Sequence, residues 1–133
     1  MSTIVNTRKD AFLRTVMKVD AVGTGANGAA YLAASGLIGS LLGVPAGVLA
    51  PVGAFLLAFA IGVWFIGTRA GINPKAVWGV ALVNMVWAVD SLVVAFSDWF
   101  PLTGWGLFYI VFQAVVVGAL GVLQVIGLRR ITR

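Results

Sequence analysis

The segment Asn84–Ser91 reads NMVWAVDS and lies inside an otherwise apolar run, in a chain with only four acidic residues. Asp90 is therefore the side chain to which chemistry attaches first. An acidic residue at the centre of a membrane helix costs about 2.5–3.5 kcal/mol on insertion scales, so it should face inward. No Lys or Arg falls at its level in the sequence, so its expected partners are neutral donors: Gln113, Asn84, Tyr31, Ser91 or water. A carboxyl desolvated in this way is expected to keep its proton, wholly or in part, near neutral pH.

The other polar residues in apolar surroundings form a short list. Asp20, Thr24, Asn27 and Tyr31 recur at helical spacing and make one stripe along the first hydrophobic run. Asn84, Trp87 and Ser91 share a face of the third run, with Asp90 beside it. Lipid cannot satisfy these groups, so both stripes should meet inside a bundle. Depth counted along the helices predicts two polar layers, Asn27 with Asn84 and Asp90 with Gln113. The candidates for ligand binding or proton carriage are Asp90, Asn84, Asn27, Trp87, Tyr31, Gln113, Asp20, Thr24 and Ser91. Asp20 lies beside Lys18 and is expected near the headgroups, while Asp10 and Asp98 read as surface charges.

Catalysis finds little to work with. Without cysteine or histidine there are no thiolate or imidazole metal sites and no Cys-His or Ser-His nucleophiles. Asp20 and Asp90 are expected to differ in depth by about 15 Å, too far to share a proton as a carboxylate pair. No phosphate-binding glycine loop is present. The expectation is a protein that is not an enzyme, with no catalytic residue, metal or cofactor.

Positioning these residues is the task of the hydrophobic runs. Of the 133 residues, 61% are hydrophobic and 10% charged, far from the roughly 45–50% and 25% of soluble proteins. Mean hydropathy is +1.06. A span needs about 20 apolar residues, and four segments qualify: 21–42, 47–67, 76–97 and 105–128. The expected fold is all-α, a four-helix transmembrane bundle. All nine Lys and Arg residues fall on one side of such a bundle, which predicts an N-in/C-in topology. Trp64 and Trp78 would then mark the inner interface, and Trp99 and Trp105 the outer one. Residues 1–20 form an expected cytoplasmic amphipathic lead-in, with Phe12, Leu13, Val16 and Met17 opposite Arg14 and Lys18. Residues 129–133 form a basic tail. The first run is too long for a cleaved signal sequence and reads as a retained span.

Small residues predict close packing: Gly25, Ala29 and Ala33 in the first span, Ala54, Ala58 and Gly62 in the second, Gly118 and Gly121 in the fourth. Packing within one bundle is the first expectation, and a homodimer or a membrane-protein partner the second. The basic residues punctuate apolar runs rather than forming a basic face, so the partner is the lipid bilayer and not nucleic acid. Asn27 and Asn84, each followed by an aromatic residue, hint at two parallel hairpin repeats.

The pattern Asp20-x-x-x-Thr24-Gly25-Ala26-Asn27-Gly28, with Asn84-x-x-Trp87-Ala88-x-Asp90-Ser91 in the third span, resembles a family of small bacterial integral membrane proteins with four spans. The resemblance covers nearly the whole chain after the lead-in. It implies a multi-pass protein of the bacterial cytoplasmic membrane and brings no established activity. Other four-span families fit less well, since small multidrug exporters rely on an embedded Glu and this chain has none. A one-sided charge distribution argues against the dual topology of fluoride channels, and the lack of cysteine against thiol-based quinone reductases. Two functions follow as expectations. The first is non-enzymatic binding of a small apolar ligand or a membrane partner in the polar interior; the alternative is a small proton-coupled transporter or pore with Asp90 as the titrating group.

Overall fold

The computed structural model describes the backbone of residues 2–132 and the side chains of residues 10–131. Five helices account for nearly all of it: α1 (Ser2–Ala33), α2 (Ser35–Leu42), α3 (Ala46–Thr68), α4 (Pro74–Phe96) and α5 (Gly104–Thr132). There is no strand among the described residues. Three helices are long and apolar enough to cross a membrane: α3, α4 and α5. Their limits fall within a few residues of the expected second, third and fourth spans.

The expected first span is different. Residues 21–42 do not form one helix, because the chain bends at Ala34, where α1 gives way to α2. The bend coincides with the pair Ser35–Gly36, a common cause of kinks where no proline is present. Upstream, the lead-in is not a separate element. It continues without interruption into α1, and Leu13 and Met17 are fully buried. Its apolar face covers protein, because Leu13 packs on Gly127 of α5 and Met17 on Gly67 of α3.

Helices α1 and α3 form one tight hairpin, with α2 within its connection, and α4 and α5 form the other. The hairpins join where α1 meets α5, whereas α3 and α4 barely touch. The α1–α3 contact is closest at Gly28 and Gly53. A Cβ on Gly28 would lie 2.8 Å from the Gly53 carbonyl oxygen, and one on Gly53 would lie 2.7 Å from that of Gly28. Two backbones can approach this closely only where neither residue has a side chain. Gly25 packs near this seam against Ala60. Ala29, Ala33, Ala54, Ala58 and Gly62, also expected at such contacts, are exposed instead.

Local chemistry fixes the ends. Asn73 caps α4 by accepting from the Lys75 amide at 3.0 Å, with Pro74 in the first turn. Thr103 caps α5 by accepting from the Gly106 amide at 2.9 Å, and its hydroxyl donates to the Leu41 carbonyl at 2.5 Å. At the opposite, basic end, Arg14 donates to the carbonyls of Gly67, Arg69 and Ala70 and so caps α3. Asp10 supports this arginine at 3.2 Å. It is buried, a correction to its expected place on the surface, because Arg14 folds back over it to reach α3.

A core of Leu13, Met17, Ala21, Val63, Val77, Val80 and Leu128 closes the basic end of the bundle. A second core of Tyr31, Leu42, Val44, Leu49 and Leu56 lies toward the far end. Outward surfaces are apolar, with Phe55, Phe65, Leu82, Val86 and Phe108 exposed. Trp64, Trp78, Trp99 and Trp105 are exposed as well.

Candidate functional site

Directly above the basic-end core lies a polar hub drawn from three helices. Asp20 on α1 accepts from the Asn84 amide of α4 at 2.8 Å and from the Gln124 amide of α5 at 2.6 Å, both on Oδ2. Its Oδ1 accepts from the Thr24 hydroxyl, one turn on, at 2.9 Å. The Asn84 amide also donates to the Gln124 carbonyl at 2.9 Å. Asp20 and Gln124 are completely inaccessible and Asn84 nearly so. Burial without hydrogen bonds would be expensive for each of these groups, and here each satisfies another.

This arrangement corrects two expectations. Asp20 is not near the headgroups: it shares the level of Asn84, about 15 Å along α4 from Pro74. The charges at Lys18 and Asp20 suggested a membrane boundary there, but α1 runs on through the bundle and the amides bury the carboxyl. Nor does Asn27 pair with Asn84. Asn27 accepts from the Tyr109 hydroxyl of α5 instead, and Tyr31 neighbours both. Gln124 and Tyr109 were not among the candidates. The signal for Gln124 was its spacing of eleven residues from Gln113, which puts both amides on one face of α5.

Asp90 departs furthest from expectation. It is exposed, and among the described residues no donor reaches its carboxylate. Gln113 does not bond it, because Gln113 is engaged elsewhere: its carbonyl accepts from the Trp87 indole at 2.9 Å and its amide donates to the Ile110 carbonyl at 2.8 Å. One residue separates the faces of Ala88, Ser91 and Ala95, which are buried, from that of Asp90.

Two cavities follow the interior. The inner one, about 230 Å³, is bounded by Thr24, Asn27, Asn84, Tyr109 and apolar side chains from α3, α4 and α5. Exposed Gly23, Phe112 and Val116 on one flank and Phe55 on another belong to its wall, so it reaches the molecular surface. The outer one, about 240 Å³, is bounded by Tyr31, Val52, Ser91, Phe100 and Ile110, with Asp90 at its rim. Trp87 and Gln113 belong to both walls. Their hydrogen bond, backed by stacking of Trp87 on Phe55 at 6.3 Å between ring centres, is the partition.

No family model, curated protein or solved structure matches this chain. What the site can do is read from its own geometry. Its walls are mostly apolar, and its polar groups converge at the hub, at the partition and at the rim. Among the described residues no cluster of acidic side chains suits a metal ion. Of the sequence candidates, Asp20, Thr24 and Asn84 form one unit with Gln124, Asn27 and Tyr31 meet at Tyr109, and Trp87 meets Gln113. Ser91 and Asp90 border the outer cavity without joining any of these three.

Proposed function

We propose that this chain is a non-enzymatic, polytopic membrane protein that holds a small, mainly apolar ligand in the two chambers between its hairpins. The supporting observation is the pair of cavities that share Trp87 and Gln113 as a common wall. Each is smaller than the roughly 300 Å³ at which drug-sized sites begin, and the two together reach that range. The bent α1–α2 unit counts as the first of four spans in this reading, with both termini on the cytoplasmic side of a bacterial membrane. The uneven distribution of Lys and Arg supports the orientation, and the resemblance to small four-span bacterial proteins agrees with it.

Native mass spectrometry from mild detergent tests the proposal. The expected result is a copurifying small molecule at one per chain, lost when Val52→Trp or Val117→Trp fills a chamber. A bare chain under the mildest release conditions, unchanged by either substitution, would overturn it.

A second reading is proton-coupled transport. Polar side chains line the interior from Asp90 through Gln113 and Asn27 to Thr24 and Asn84, which supports it. A pH-driven flux in liposomes that disappears in Asp90→Asn would favour this reading over binding alone.

A further inference from the structure

We infer that the ligand is a lipophilic monocation, an amine on an apolar body, with its charge held at Asp90; this rests on the chambers being a binding site. Asp90 lies about 9 Å from the α4 terminus at Phe96, is exposed, and has no donor among the described residues. Its own helix does not help, because the C-terminal end of a helix is the negative end of its dipole. Among the described residues the chain brings no cation to it, since Arg14, Lys18, Arg69, Lys75, Arg129 and Arg130 lie in or beside segments at the other end of the helices.

Asp20 makes the contrast. Three neutral donors close on it, and it borders neither chamber. Asp90 has been given none and sits at the rim of a cavity walled by Val48, Leu49, Val52, Val94, Phe100 and Ile110. A carboxylate beside a small apolar chamber complements one class of molecule: a single positive charge with N–H donors, carried on a body that fills the chamber. A metal ion does not fit, because among the described residues no group of three or more acidic side chains could hold one. An ammonium group can come from a free amphiphile or from an amine-bearing lipid headgroup, and both present the same chemistry to this site.

The experiment uses the full chain in phosphatidylcholine nanodiscs, with Trp64, Trp78, Trp99 and Trp105 replaced by Phe so that Trp87 reports alone. The probes are 8-bromooctylamine and 8-bromooctanol, which share a quenching tail and differ in charge. The expected result is saturable quenching of Trp87 by the amine at concentrations at least about tenfold below those of the alcohol, as a charged hydrogen bond supplies. In Asp90→Asn the two probes should quench alike. Equal action of both probes on the unsubstituted Asp90 chain, or an amine preference that survives Asp90→Asn, overturns the inference and leaves the binding proposal standing. Saturable quenching by neither probe overturns both. Repeating the titration with phosphatidylethanolamine in the nanodisc separates the sources. Weakened amine binding assigns the site to lipid headgroups, and unchanged binding to a free amphiphile.

Discussion

The Asn84 amide reaches the Asp20 carboxylate at 2.8 Å across the diagonal of the bundle, between helices whose backbones do not otherwise approach. Gln124 completes the link from α5, so three helices are tied at one level by hydrogen-bonded side chains. Replacing Asp20 by Ala should strand the Gln124 amide and one N–H of Asn84, whose other N–H keeps the Gln124 carbonyl, at about 1–3 kcal/mol for each stranded donor. Thermal unfolding in detergent measures this. Asp20→Asn should be milder, since it keeps one acceptor oxygen.

The contact between Gly28 and Gly53 has no room for a methyl group. Gly28→Ala or Gly53→Ala should destabilise by about 1–3 kcal/mol through overpacking. Gly62→Ala, on the open side of α3 where a Cβ meets nothing within 4 Å, should change stability by no more than about 0.5 kcal/mol. Melting temperatures of the three variants should therefore separate into two groups.

Trp87 is the half-buried tryptophan of five; the other four are exposed. Brominated lipids should quench Trp64, Trp78, Trp99 and Trp105 more strongly than Trp87. A chain with Trp87→Phe should therefore lose the least-quenched part of the emission. Equal quenching before and after the substitution would contradict the partition described for the two chambers.

Arg14 satisfies three carbonyls at the end of α3 and the carboxylate of Asp10. Arg14→Met removes both roles. Because the arginine is partly exposed, the expected loss is about 1–3 kcal/mol, below that of a fully buried pair. The double variant with Asp10→Asn should recover part of it, since the stranded buried charge is gone. A denaturation cycle over the four chains gives the coupling.

A chain without native cysteine suits topology mapping. Gly71→Cys, between α3 and α4, should react with an impermeant thiol reagent only after the cytoplasmic side is opened. Asp98→Cys, between α4 and α5, should react in intact cells. The reverse pattern would overturn the N-in/C-in proposal.

The amino-acid sequence by itself determined the helical class, the limits of the last three long helices and the stripe of polar side chains on α1. Those features follow from hydrophobic run length, from Pro and Gly at the turns and from the 3.6-residue repeat, all of which are local. It also singled out Asp20, Asn84 and Asp90 as the polar groups that need an account. Only the tertiary structure decided what each of them does. Helical rise places residues by depth, but it does not say how far a helix is displaced along its axis or which way it is turned about it. The extension of α1 brought Asp20, not Asn27, to Asn84, and the rotation of α4 turned Ala88 and Ser91 inward and Asp90 out. One residue's step around a helix is about 100°, enough to exchange a buried hydrogen-bonded node for a carboxylate at the rim of a chamber.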